Sequence, residues 1–485
     1  MFGWFNKNVH ARATIQPLYF HNTAGDKRET FIARGKTVRM YNCGPTVYDF
    51  QHIGNLSAAV FADTILRVLE YNGYDVKQVI NITDFGHLTS DADEGEDKMT
   101  KGLKREGMKP TMENMMKLAD RYTDAYLKDI EALGLPIDRI EFPRASHFVP
   151  AQIALIHTLE EKGYTYRTKD GVYFETKLFA RYGELGGINR VQLKEGARVD
   201  ANPEKHDPAD FALWKFNSRF GWESPWGHGF PGWHIECSAM ARSLLGEQID
   251  IHTGGIEHIP IHHNNEIAQS ETATGKSPFA RYWMHRAHIQ IEGHKIAKSD
   301  GNTAYLKDIV EKGYHPLALR YWFLTAHYRT PANFTWESIA GSHSALTRLH
   351  RLAHEMQKTS VGMGTIPTVW GRKFHERIND DLDTPGAIAV MWDMLKDDSL
   401  SPAEKHAAVI DFDRVLGFGL TQPDESLRRL FEETVVPEEI EHLRKKRDAA
   451  RKDSDWALAD QLRDELISKG YDVRDSDEGT VLIRT

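Results

Sequence analysis

Cys43 and Cys237 are the only cysteines among 485 residues. His262 and Glu266 stand four apart, and on a helix that spacing puts both side chains on one face, where they can grip one ion. Together the four make a Cys, Cys, His, Glu set. Thiolate, imidazole and carboxylate in that mixture favour Zn²⁺. The neighbourhood is rich in imidazole: of 24 histidines, seven fall between His252 and His294. Spacing alone leaves other readings open. Neither cysteine belongs to a C-x-x-C pair, so inert burial is an alternative for both, and a polar loop face is one for His262-His263.

Composition narrows the rest. Hydrophobic residues are 40% and charged residues 27%, ordinary for a globular chain and too apolar for a disordered one. The formal charge is 61 − 70 = −9. That excludes a general polyanion binder, so any nucleic-acid contact needs a local basic patch. No run approaches the roughly 18 apolar residues of a membrane helix. The first residues lack a signal-peptide layout, and two cysteines cannot build a disulfide scaffold, so a reduced cytoplasmic setting is expected.

The elements that must position these residues begin with a βαβ unit. Thr37 to Asn42 reads as a strand, followed by the Cys43-Gly44-Pro45 turn. A helix is expected from about Leu56 to Tyr71, with Phe61, Ile65, Val68 and Leu69 on one face and Asn72-Gly73 as its stop. Val76 to Ile82 reads as the next strand. Strand, crossover helix and parallel strand begin a doubly wound sheet, whose ligands bind beyond the carboxyl ends of the strands. Cys43 and Thr83-Asp84 fall just past those ends. The acids from Asp91 to Asp97, followed by Lys98, Lys101, Lys104 and Arg105, read as a solvated loop feeding a helix. Residues 140–225 turn to short β-like pieces and glycine turns, an insertion between two halves of the sheet. Gln248 to Ile251 then reads as a strand running into His252-Thr253-Gly254-Gly255. Residues 306–420 are mainly helical, and a charged helix, the Gly470 stop and a hairpin around Asp477-Glu478-Gly479 close the chain.

Several segments together resemble the cysteinyl-tRNA synthetase family of class I aminoacyl-tRNA ligases. Cys43-Gly44-Pro45-Thr46-Val47-Tyr48-Asp49 is similar to its first zinc-cysteine segment. It runs into His52-Ile53-Gly54-Asn55, the counterpart of the "HIGH" element. Gly232-Trp233-His234-Ile235-Glu236-Cys237-Ser238 resembles the second zinc segment, and His262-His263-Asn264-Asn265-Glu266 the third. Lys295-Ile296-Ala297-Lys298-Ser299 stands where the family has "KMSKS". Asp210 to Lys215, Ala326 to Arg329 and Asp383-Thr384-Pro385 also fit. The chain departs from the pattern at Asn55, for the last histidine of HIGH, and at Ile296 and Ala297. Asn still donates a hydrogen bond but carries no proton or charge.

The resemblance implies a Rossmann-type α/β catalytic domain with an inserted connective domain, then a helical bundle and a small C-terminal α/β domain. The expected divisions are 17–140 and 226–305 for the two catalytic halves, 141–225 for the insertion, 306–420 for the stem-contacting helices and 433–485 for the anticodon-binding domain. It implies that ATP and L-cysteine form cysteinyl-adenylate, and that the cysteinyl group passes to the terminal adenosine of the cysteine tRNA. Displacement at phosphorus is catalysed mostly by positioning and electrostatics. His52 and Asn55 at a helix start would offer donors where the dipole favours anions, with Pro45, Thr46 and Gly54 shaping the ATP site. Lys295, Lys298 and Ser299, on a loop flanked by Gly293 and Gly301, would act on the phosphates, with Mg²⁺ accompanying ATP; alone, such lysines read as a solvated loop.

Thr83 would sit near the substrate amino group and Trp233 would form a wall, with plain core filling as the alternative for Trp233. Zn²⁺ on Cys43, Cys237, His262 and Glu266 would take the substrate sulfur and so reject serine, a near-isostere that shape alone separates only about 10- to 200-fold. A closed structural zinc is the alternative. Arg444-Lys445-Lys446-Arg447 with Arg451 and Lys452 reads as a phosphate-contacting patch for tRNA, or as a solvated helix face. Trp456 is expected in the core, with base stacking as its alternative. The resemblance implies a monomer. Rival readings are the related ligase that joins cysteine to an amino sugar, which lacks the tRNA-binding end, and a non-catalytic tRNA binder. A zinc hydrolase lacks support, because no H-E-x-x-H pair occurs.

Overall fold

A computed structural model describes residues 16–85, 98–187, 203–296, 302–360, 362, 364–431, 437–476 and 479–484. The chain divides into two compact units, Met1–Leu346 with Ala353–Thr421, and Thr347–Leu352 with Gln422–Thr485.

The larger unit is built on four parallel strands: β1 (Thr37–Asn42), β2 (Asp75–Ile80), β3 (Ile249–Gly255) and β4 (Ala280–Arg286). Their order is β2-β1-β3-β4. The chain leaves β1 for one side through helix α1 (Ile53–Tyr71), and β3 lies on the other side. That divergence opens a crevice beyond the carboxyl ends of β1 and β3, the usual ligand position on such a sheet. β3 is buried along almost its full length, as expected of a central parallel strand.

Helix α1 starts three residues earlier than its apolar periodicity indicates. His52 caps it: its imidazole accepts from the Asn55 amide, so a hydrogen bond joins the burial of Ile53 and Leu56 in fixing the first turn. The second strand stops at Ile80, and Ile82 instead bridges in parallel to Arg144. Gly44, just past β1, is required by crowding. A Cβ there would lie 1.7 Å from the Asn81 carbonyl oxygen, so only glycine lets the two strand ends approach.

The insertion contains a four-stranded antiparallel sheet, Thr165–Arg167, Gly171–Phe174, Phe211–Phe216 and Gly229–Pro231. Its core includes Phe174, Phe211 and Trp214. The last strand leads through Gly232 directly into helix α2 (Trp233–Leu245), which carries Cys237. After β3, one π turn (Ile259–His263) runs into helix α3 (Asn264–Thr274). His262 is thus on a π turn rather than on the regular helix expected. Such turns cluster at functional sites, where the extra residue re-aims a side chain.

Among its described residues the smaller unit contains the helices Glu425–Phe431, Glu438–Lys452 and Trp456–Ser468 and the hairpin Tyr471–Ser476 with Gly479–Arg484. Ile440, Leu443, Leu462, Leu466, Tyr471 and Val473 form its core. The single charged helix read from the sequence is two, because Ser454 takes a left-handed conformation (φ 60°) and Asp455 caps the second helix. Two further expectations change here. Trp456 is 61% exposed instead of core-packed. Arg447 is 2% exposed and donates to Thr480 Oγ1 at 2.5 Å, while Arg444 pairs with Glu441 and Asp448. The basic stretch therefore offers solvent Lys445, Lys446 and Lys452 rather than all six cations.

Candidate active site and metal centre

The crevice holds a cavity of about 400 Å³. Cys43, Cys237 and His262 line one part; His52, Gly54 and Asn55 line another; Pro45, Thr46, Thr83 and Trp233 also border it. Both groups that the sequence pointed to thus face one space. Asp91 to Asp97, Ala297, Lys298, Ser299 and Gly301 lie outside the described residues, as do Asp477 and Glu478 of the terminal hairpin.

The thiol side is built from four elements that meet at the sheet edge. Cys43 follows β1, with its amide donating to the Thr253 carbonyl at 3.0 Å. Cys237 projects from α2, His262 from the π turn and Glu266 from the first turn of α3. One donor atom from each of the four lies within 4.8 Å of every other. A tetrahedron with bonds of about 2.0–2.3 Å needs donor separations of roughly 3.3–3.8 Å, so small side-chain adjustments close a shell.

The polar groups agree with an ion there. His262 Nε2 is buried 3.0 Å from Glu266 Oε1 yet makes no aligned hydrogen bond. Burial pushes the Cys43 thiol up to about 11 and Cys237 well above its usual range, so on its own the protein keeps both neutral. Burial also opposes ionisation of Glu266, but His252 and His262 outweigh it and hold the carboxyl at about 2. Burial disfavours charge on His262 too, and Glu266 with Cys237 carries it up to about 10. A divalent cation inverts this order by making thiolates and neutral imidazole the stable forms.

A second set, Cys43, His252, His263 and Glu266, satisfies the same distance test. His252 Nε2 already bonds Glu266 Oε2 at 2.9 Å, and His263 Nδ1 bonds His285 Nε2 at 2.7 Å. These two do not line the cavity, whereas Cys237 and His262 do. The first set is therefore the one open to the cavity. His252 fixes one oxygen of the Glu266 carboxylate, the kind of support that a ligating carboxylate needs. Its distance from any motif hid that role.

Thr83 is held on both sides. Its backbone pairs with Pro45 and Val47, and its hydroxyl donates to Glu236 Oε1 at 2.6 Å. Burial raises Glu236 to about 8 against that hydrogen bond. Trp233 opens α2, with its ring centroid 4.3 Å from that of His262. Lys98 also lines the cavity, its Nζ 6.0 Å from the Trp233 ring centroid. It begins the helix Lys98–Arg105 that closes the charge run, and nothing in a run of lysines singles it out.

At the start of α1, His52 Nδ1 accepts from the Asn55 amide, which places the proton of the neutral ring on Nε2. Asn55 is exposed, and its side-chain amide donates to Gln51 Oε1. A Cβ on Gly54 would meet His52 Cε1 at 2.9 Å and Ile296 Cδ1 at 3.1 Å. Lys295 belongs to a two-residue strand paired with Gln290-Ile291, not to a free loop. The Glu292-Gly293 turn of that hairpin has both residues at positive φ, 50° and 79°. Beyond the undescribed residues, the Ala304 carbonyl accepts from the Ile53 amide and Tyr305 bridges to His52. Both flanks of that segment thus abut the start of α1.

Residues 30–344 match the family model "tRNA synthetases class I (C) catalytic domain", and residues 434–481 match "Cysteinyl-tRNA ligase anticodon binding domain". Cysteine–tRNA ligase 1 of Burkholderia lata is 46% identical over 96% of both chains. The cysteine–tRNA ligase of Chlorobium chlorochromatii is 38% identical over 96% of this chain and 98% of that one. Among solved structures, a Mycobacterium tuberculosis methionyl-tRNA synthetase with methionyl-adenylate superposes with a TM-score of 0.55 at 14% identity, covering 82% of this chain and 93% of that one. An Agrobacterium radiobacter LeuRS in a ternary complex with tRNA and LeuAMS gives 0.59 at 12%, covering 82% and 86%. At such identities the structural matches establish the fold alone.

Proposed function

Since the chain belongs to the class I cysteinyl-tRNA synthetase family, we propose that it is a cysteine–tRNA ligase whose two half-sites are the two ends of the cavity described above. The observation that carries this reading is one space bordered both by a Cys43, Cys237, His262 cluster and by the His52-capped start of α1. In the first step the cysteine carboxylate oxygen attacks the α-phosphorus of ATP, and the bond to the β-phosphate oxygen breaks to release pyrophosphate. In the second, a hydroxyl of the terminal adenosine attacks the cysteinyl carbonyl, loses its proton, and AMP leaves.

His52 presents its Nε2 proton to a phosphate oxygen, held in that tautomer by the cap. The α1 amides add the positive end of a helix dipole. Asn55 supplies an uncharged donor. Lys295, Lys298 and Ser299 bear on the β- and γ-phosphates, with Mg²⁺ carried by ATP. Thr83 receives the substrate amino group, its hydroxyl oriented by Glu236, and Trp233 walls the pocket. Cys43, Cys237, His262 and Glu266 hold Zn²⁺, which when bound supplies a soft Lewis-acid position that accepts a thiolate and refuses a hydroxyl. The smaller unit, with Lys445, Lys446 and Lys452 outward and Trp456 exposed for stacking, contacts the tRNA anticodon. The enzyme works as a monomer in the cytoplasm; among the described residues no helix is long and apolar enough to cross a membrane.

The direct assay is cysteine-dependent ATP–pyrophosphate exchange, followed by charging of cysteine tRNA. Exchange and charging are both expected from zinc-loaded protein. No exchange would overturn the reading, and exchange without charging would turn it toward a ligase with a small-molecule acceptor.

A further inference from the structure

Arg286, the last residue of β4, lines the cavity in company with His52, Gly54, Ile289 and Ile296. It is 7% exposed, and its Nε is buried without a hydrogen bond. Among the described residues no carboxylate pairs with it. Burial alone, with no acid opposing it, pulls the guanidinium down to about 10. The centroid of the Phe323 ring lies 5.5 Å from the guanidinium carbon.

The fold treats Arg320, another deeply buried arginine, differently. Arg320 has Asp63 at 2.6 Å and donates to the carbonyls of Leu416 and Leu133. A buried guanidinium without such partners destabilises the ligand-free protein. Its place on the wall of a cavity makes the missing partner an incoming one. Arginine presents a planar fork matched to phosphate oxygens. Ile289 and Ile296 on the same wall belong to the hairpin leading into the lysine segment, and Ile296 abuts Gly54 at the positive end of α1. Arg286 and the positive end of α1 thus border the same cavity.

We propose that Arg286 is a phosphate-binding residue of the nucleotide site, its guanidinium pairing with an oxygen of the ATP triphosphate. The inference rests on the reading of this cavity as the place where ATP is attacked. It assigns nucleotide affinity to a residue that neither lysine segment nor helix start contains.

The test uses full-length, zinc-loaded protein and titrates ATP and adenosine separately by calorimetry, with the exchange assay alongside. R286Q is expected to bind ATP about tenfold to hundredfold more weakly, the loss of one charged hydrogen-bonding partner. Adenosine affinity and the KM for cysteine stay unchanged. Without nucleotide, R286Q melts no lower than the parent, because an unpaired buried charge is gone. R286K, which retains the charge without the fork, lies between the two for ATP. Equal weakening of ATP and adenosine, or no weakening of ATP, overturns the proposal. His52→Gln separates the causes. If it weakens ATP while R286Q does not, the assignment of Arg286 alone fails; if neither weakens ATP, the cavity is not the nucleotide site.

Discussion

Cys237→Ser is expected to strip stoichiometric zinc from the protein and to erase most of its preference for cysteine over serine. The substitution changes one atom of a buried side chain, so packing in the surrounding core is retained. What it removes is a soft ligand from a set whose four donors converge within 4.8 Å. A hydroxyl is a poor replacement for thiolate on zinc. The remaining thiol, Cys43, is pushed up to about 11 by burial, so without a bound metal it stays protonated and is a poor ligand. Discrimination by shape reaches only about 10- to 200-fold, whereas a site that bonds one specific group reaches about 10⁴ or more. The ratio of exchange rates for cysteine and serine is therefore expected to fall from the second range into the first. Cysteine-dependent exchange itself should drop by at least about a hundredfold, since even indirect supports of a metal ligand cost 10- to 100-fold. Full zinc content, or an unchanged ratio, would contradict the expectation.

The second large effect is on stability. Asp63 and Arg320 are both fully buried, and Arg67 Nε also meets Asp63 Oδ2, at 2.7 Å. One carboxylate thus answers two guanidinium groups, and carbonyls take other N–H bonds: Leu133 and Leu416 from Arg320, Gly134 from Arg67. Gly417, in the left-handed conformation (φ 67°), ends the helix Pro402–Leu416 beside this cluster; a Cβ there would lie 2.7 Å from Arg320 Cζ. Asp63→Ala leaves both cations without their carboxylate and is expected to cost about 3–5 kcal/mol. Urea unfolding of the two proteins measures it, and Arg320→Met in the same background should restore part of the loss. A cost under about 1 kcal/mol would show that the carbonyls alone satisfy the arginines. The network matters for function because α1 carries Asp63 and Arg67 and also begins at His52.

How much of this was legible in the sequence differs by element. β1, the end of α1 at Tyr71 and the strand running into His252 follow from apolar period and stop residues, because those patterns are local. The start of α1 was misplaced by three residues, since an imidazole cap leaves no apolar signature. The quartet of Cys43, Cys237, His262 and Glu266 came from residue type and resemblance, and the fold gathers it from four elements. The π turn under His262, the bond from His252 to Glu266 and the unpaired state of Arg286 are tertiary facts, set by what packs opposite. Trp456 and Arg447 exchanged their expected places for the same reason. A unit this short has room for only a small core, and Arg447 found a partner in Thr480 while Trp456 was left outside.

The most direct measurement is zinc K-edge X-ray absorption on the purified protein, alone and with saturating cysteine or serine. The predicted shell is two sulfur and two lighter nitrogen or oxygen donors in the free protein. Cysteine should raise the sulfur count to three, and serine should leave it at two. A sulfur count that stays at two with cysteine bound, or cysteine activation at full rate by metal-free protein, would contradict selection of the substrate through its sulfur.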